Sequence, residues 1–283
     1  MNLDALPYTS YIVLLEFCVG SLLFCVFADW RGKVAASFVM FCAAMISVGA
    51  VVMVLNAQAL DPKSVIGGYR LDDDLVGTVQ AGSFVLLLAT IPYNIAVFRR
   101  DRQWSLITGV GALIVGFVLV GIVSYYISLP TWGFAGTLLS MAAGTLAVGA
   151  VVMAMILGHW YLMTPRLPKE PLQELTLLLL ASIALQGVLM ILNIAIPARE
   201  TPDATAFLGS TQLGTNPAFW LRISIGLLFP AVLTYMAYVS SKGHPKNEMA
   251  MRSATGLLYI AVGAVLVGEV LARGLLFLTG VPV

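Results

Sequence analysis

Residues 257–278 read LLYIAVGAVLVGEVLARGLLFL. At 1.5 Å rise per residue this run is long enough to cross a bilayer as one helix, which takes about 20 apolar residues. It nevertheless carries Glu269 and Arg273. Their i, i+4 spacing, acid first, sets both side chains on one helix face in the order that pairs best. A charge at bilayer depth costs about 2.5–3.5 kcal/mol even on the gentlest scale, so such residues face protein or a water-filled cavity. Gly268 and Gly274 flank the pair and are expected to let neighbouring helices approach closely. The pair either ties helices together or lines a polar site, and the other spans must arbitrate.

Of the 283 residues, 60% are apolar and 10% charged, whereas a soluble domain carries about 25% charged residues. The composition is that of an all-α, polytopic integral membrane protein, and nothing in it points to nucleic acid as a partner. The opening residues MNLDALPYTS have neither a basic n-region nor a small-residue cleavage signal, so no removable signal peptide is expected. Cys18, Cys25 and Cys42 lie inside apolar runs at spacings that match no metal or haem-attachment pattern. They read as small core hydrophobes.

Hydropathy predicts eight spans, at 11–28, 34–56, 75–98, 104–127, 133–163, 172–196, 217–239 and 257–278. Pro92 is expected to kink the third, and Pro230 lies inside the seventh. Only the connections after spans two and six are long. They take equivalent places if one membrane domain is built as two four-helix bundles, 1–130 and 131–283, a parallel repeat. The short connections hold ten Lys/Arg, while the opposite side has only Lys63, Arg70 and Arg199 beside seven acids. By the positive-inside rule both termini are expected outside the cytoplasmic membrane. That acidic outer surface is a possible landing place for a partner protein.

With that orientation, Glu16, Gln80 and Arg222 fall about 8–9 Å below the outer ends of spans one, three and seven. Arg273 lies at comparable depth and Glu269 about one turn deeper. Asn56, Tyr125, Tyr126 and Asn193 belong to the outer ends of spans two, four and six. The ionisable residues within spans are two acids and two bases, and burial demands that they pair with one another. A polar layer in one leaflet suggests a cavity opening outward, where an amphipathic headgroup sits among a few convergent polar groups. A quinone, menaquinone or ubiquinone, fits that description, and Glu16 or Glu269 would accept protons released by a quinol. The candidate site is therefore Glu16, Gln80, Arg222, Glu269 and Arg273, with Asn56 and Tyr125 as secondary members. The competing reading is that Glu16 and Arg222 only staple helices, and that Gln80 and Asn56 are ordinary interhelical hydrogen-bonding amides. His159 is the only histidine within a span, so no bis-histidine haem is expected, and Trp160 and Tyr161 beside it form an interfacial belt. No Walker loop, no GxGxxG after a strand, no CxxC and no HExxH is present.

The layout resembles the membrane anchor subunits of dimethyl sulfoxide reductase and polysulfide reductase, the NrfD-like group. The resemblance runs along the whole chain and rests on several pieces. They are Gly268-Glu269 followed by Arg273-Gly274 and Phe277, Pro130-Thr131-Trp132 between spans four and five, Ala81-Gly82-Ser83 in span three, and Arg222 just inside span seven. It implies two four-helix bundles, no haem in this chain and a quinol site near the outer leaflet. It also implies an iron–sulfur partner and, beyond it, a molybdenum-cofactor catalytic subunit. This chain departs from the dimethyl sulfoxide reductase anchor at Asn56, where that anchor has a histidine, and near Thr78 and Gln80, where its acid is missing. On this reading the chain is a non-catalytic or quinol-oxidising subunit of a respiratory oxidoreductase. The rivals are an ion or solute transporter, which needs a polar trail to the cytoplasmic side, and a redox-silent structural subunit.

Overall fold

Inside a bilayer every backbone N–H and C=O must find its partner within the protein, so apolar runs of this length have little choice but to be helical. A computed structural model describes residues 3–61, 65–66, 69–71, 73–128, 133–164, 167–195, 210–242 and 248–283. Among the described residues eight helices are long and apolar enough to cross a membrane. Spans one to eight are Leu6–Arg31, Ala36–Ala57, Val76–Phe98, Arg102–Ile127, Gly133–Met163, Glu170–Ala195, Pro217–Ser241 and Glu248–Thr279. The all-α polytopic class expected from hydropathy is what the chain adopts.

The ends differ from the hydropathy reading. Span one begins at Leu6 rather than residue 11, with Pro7 in its first turn where a missing N–H costs nothing. Span eight begins at Glu248 rather than residue 257. Both extensions contain polar residues, such as Thr9, Ser10, Arg252 and Ser253, that a hydropathy window discounts. The polar connection after span two is not all loop. Val65–Ile66 and Tyr69–Arg70 pair as a two-stranded antiparallel hairpin. The hairpin and the segment after it bury Ile66 and Leu71 under the ends of the first four helices. Pro62, Lys63, Gly67, Gly68, Asp72, Pro130, Thr131, Trp132, Arg199 and His244 lie outside the described residues.

Spans one to four close a ring in which each packs on the next and span four returns to span one. Spans five to eight close a second ring in the same order. Spans one and five run along each other where the rings meet, and they are 78% and 83% buried over their apolar windows, against 33% for span three. These two helices are the core of the molecule. Their contact depends on glycine: a Cβ on Gly149 would land on the backbone of Gly20, and one on Gly20 would strike the Thr145 carbonyl. Between membrane helices there is little hydrophobic drive, so such close backbone approach supplies the association by van der Waals packing.

Span seven changes its winding. After one α-turn, Pro217–Leu221, the seven residues Arg222–Leu228 form a π-helix before the α-helix resumes at Phe229. The cause is close by. Pro230 lacks an N–H and its ring would crowd the carbonyl four residues back, at Gly226. The wider π turn absorbs that conflict, and such turns gather at functional sites. Pro92, by contrast, sits within a helix that runs unbroken from Val76 to Phe98.

Candidate functional site

Four ionisable side chains meet where the two rings join. Arg273 Nη2 lies 2.6 Å from Glu16 Oε1 and 3.1 Å from Glu269 Oε2. Arg222 Nη1 lies 3.3 Å from Glu269 Oε1. The order in space is Glu16, Arg273, Glu269, Arg222, alternating in sign and summing to zero. Exposure is 0% for both acids, 1% for Arg273 and 2% for Arg222. Removing charges from water is recovered only when geometry is close and the remaining donors and acceptors are satisfied. Here span one provides one acid, span seven one base, and span eight the i, i+4 pair expected from its spacing.

Residues not assigned to the site complete it. Gln186 of span six donates from Nε2 to Glu269 Oε1 at 2.5 Å and accepts at Oε1 from Arg222 Nη2 at 3.2 Å. Arg273 also donates to the Ser140 hydroxyl and to its carbonyl, both at 3.2 Å. Gly144, one turn along span five from Ser140, makes the room. A Cβ there would sit 2.6 Å from Arg273 Nη2 and Glu16 Oε1 and 2.7 Å from Glu269 Oε2. Gly268 approaches Gly226 of the π segment closely enough that neither tolerates a methyl group, whereas Gly274 faces open space. The close approach expected of both glycines is therefore made by Gly268 alone.

The other expected members stand apart. Gln80 donates to the Ala57 carbonyl at 3.2 Å, capping the end of span two. Asn56 bonds Ser10. Tyr125 points outward with 57% of its surface exposed and its ring against Phe134. None of the three touches the network, so the site contracts to the four charged groups plus Gln186 and Ser140. Asn193, at the far end of span six, donates to the Pro282 carbonyl and holds the C-terminal tail. Depth also changes. With span one starting at Leu6, Glu16 lies ten residues, about 15 Å, along its helix.

Some polar atoms of the network are left over. Glu16 Oε2, the Nε of each arginine and Arg222 Nη1 lack hydrogen-bond partners among the described residues. Arg222 Nη1 still faces Glu269 as an ion pair, so Glu16 Oε2 and the two Nε groups are the atoms open to a further donor or acceptor. Toward the basic end the buried hydroxyls are committed to their own helices. Thr176, Ser182 and Thr255 each donate to the carbonyl four residues back, and Thr255 also reaches the Gly158 carbonyl of span five at 3.0 Å, so none of them extends the charged chain. His159 accepts or donates at Nδ1 with the Tyr259 hydroxyl, 2.7 Å away, and is exposed rather than buried in a haem-like position. Among the described residues no three of His, Cys, Asp and Glu come together.

The basic end offers a contrast in energetics. Arg31 and Glu174 form a bidentate pair between spans one and six, but their side chains are 37% and 28% exposed. An exposed pair of this kind is screened by solvent and contributes little. Arg31→Ala is expected to leave the denaturant midpoint in micelles nearly unchanged, with any shift shrinking further at high salt.

Of the pieces behind the family resemblance, Arg222, Glu269 and Arg273 all enter the network. Phe277 packs against Tyr8 with ring centroids 6.0 Å apart, and Ser83 shares a 2.7 Å hydrogen bond with Tyr11. Compared with known proteins, the chain matches no family model, no curated protein and no solved structure.

Proposed function

We propose that this chain is the membrane subunit of a respiratory oxidoreductase in the cytoplasmic membrane, with both termini on the extracytoplasmic side. In this reading it binds a quinone or quinol against the Glu16–Arg273–Glu269–Arg222 network and exchanges electrons with an extracytoplasmic iron–sulfur partner. A molybdenum-cofactor catalytic subunit lies beyond that partner. The observation that supports it is the set of buried polar atoms that have no hydrogen-bond partner among the described residues. A carboxylate oxygen on Glu16 lacks a donor, and N–H groups on both arginines lack acceptors. A quinone supplies carbonyl oxygens to N–H donors, and its reduced form supplies hydroxyl donors to a carboxylate. The quinone carries the redox chemistry, while the chain orients it and provides carboxylates as proton acceptors. With Gly144 leaving no free space inside the network, the headgroup approaches from its edge.

The test is extraction of quinone from protein purified in mild detergent, together with identification of the co-purifying subunits. About one quinone per chain, reduced severalfold in Glu16→Gln, and a co-purifying iron–sulfur protein are expected. Absence of both is the result that defeats the reading.

The closure of the network favours a second reading, a redox-silent subunit that assembles a larger complex. Four side chains with 0–2% exposure that neutralise one another form a tie between rings without any ligand. Undiminished quinol oxidation by the purified complex carrying Glu16→Gln and Glu269→Gln would decide for that alternative.

A further inference from the structure

At the basic end of the first ring, away from the network, a cleft of about 210 Å³ opens between the ends of spans one to four. Its polar lining comes from Asp29, Arg100, Asp101, Arg102 and Ser105, over an apolar floor that includes Val39. Most of these charges are already committed. The Asp29 carboxylate accepts from the Ser105 hydroxyl. Asp101 caps span four by accepting from the Trp104 N–H at 3.1 Å. Arg102 donates to the Trp30 carbonyl at 3.0 Å and so closes the carbonyl end of span one.

Arg100 is the exception. Among the described residues neither its side chain nor that of Arg99 has a hydrogen-bond or ion-pair partner, their backbone N–H groups closing span three on the Val97 and Ile95 carbonyls. Arg100 is also the only described non-glycine residue with positive φ, at 57°. It stands in the turn that ends span three, where glycine is the usual occupant because a Cβ is disfavoured in the left-handed region. An arginine held there at a backbone cost, lining a cleft and lacking a partner, is the kind of outlier from which function is inferred. Trp30 and Trp104, neighbours in sequence of the lining residues Asp29 and Ser105, are 60% and 58% exposed, as suits a cleft at headgroup depth.

We propose that this cleft binds the phosphate of an anionic phospholipid headgroup, with Arg100 as its main contact. The two acids and two bases of the lining balance, and Lys33 and Arg99 in the same turns tip the neighbourhood positive, with Arg100 the lining charge whose side chain has no partner among the described residues. That sign selects a phosphate without a compensating ammonium. Basic pockets between helices on this side of a membrane bind such headgroups, and the apolar floor suits the part of the lipid just below the phosphate.

The experiment uses the full chain, reconstituted in nanodiscs of phosphatidylglycerol and phosphatidylcholine and then gently extracted, with retained lipid measured by mass spectrometry. Wild type is expected to be enriched in phosphatidylglycerol. Arg100→Gly should cut the enrichment about fivefold, the worth of one arginine at a charged membrane surface. Its thermal midpoint should hold or rise, because glycine suits the backbone there. Arg100→Asn, which also tolerates that region, is expected to show the same loss of lipid. Enrichment that persists in both variants overturns the proposal. So does enrichment that excess inorganic phosphate abolishes in wild type, since that marks a site for free anions.

Discussion

Arg273→Gln is expected to abolish most of the folded, monodisperse protein recovered from membranes. Among the described residues Arg273 is the only base paired with Glu16, at 2.6 Å, and it also holds Glu269 at 3.1 Å. Without it Glu269 keeps Arg222, but Glu16 is left with 0% exposure and no counter-charge, to be buried unpaired or to take up a proton. Breaking a buried pair by deleting one partner costs about 3–5 kcal/mol, because an uncompensated charge stays behind. Domain stabilities are about 5–15 kcal/mol, so the loss takes a large share of the total. Size-exclusion profiles and thermal midpoints in one detergent read the effect. A variant that elutes and melts like wild type contradicts the assignment of Arg273 as the hub.

Gly149→Ala is the second large effect, and its cause is steric rather than electrostatic. The added methyl group meets the backbone of Gly20 on span one, and backbone in a central helix has nowhere to go. Overpacking usually costs about 1–3 kcal/mol when side chains can shift; here the spans themselves must separate, so the upper end or more is expected. Separation of spans one and five also pulls Glu16 away from Arg273, coupling the two failures. Gly111→Ala, on a face with nothing within 4 Å, is the matched control and should leave the midpoint unchanged or slightly raised. Equal behaviour of the two variants would show that the rings do not meet through glycine contact.

Much of this architecture was legible in the residues. Eight apolar runs gave eight helices, and the cost of burying charge correctly demanded that Glu16, Arg222, Glu269 and Arg273 find one another. Position around the helix was the harder quantity. Depth follows from counting residues, but each step turns the side chain by about 100°, so neighbours at one depth face opposite ways. Tyr125 illustrates this, being 57% exposed between a buried Ser124 and a buried Tyr126. Gln80 and Asn56 had the right depth too, and local carbonyl and hydroxyl partners satisfied them instead.

The residues that complete the network gave weaker signals. Gln186 carries no charge to demand a partner, and Gly144 has no polar atom to draw attention. Its contribution is the absence of a side chain beside three charged groups. The π segment left one trace, Pro230, whose missing N–H required some local accommodation without saying which. The cleft at Arg100 was equally hidden, because a run of basic residues after a span reads as an orientation signal before anything else.

The account stands on four ionised side chains from three helices forming one charge-balanced unit. Its most direct test is rescue: Glu16→Gln combined with Arg273→Gln leaves Glu269 and Arg222 as a neutral pair. The double variant is expected to recover most of the monodisperse protein and much of the thermal midpoint that Arg273→Gln alone has lost. A double variant no better folded than the single one would mean that Glu16 and Arg273 do not share a site.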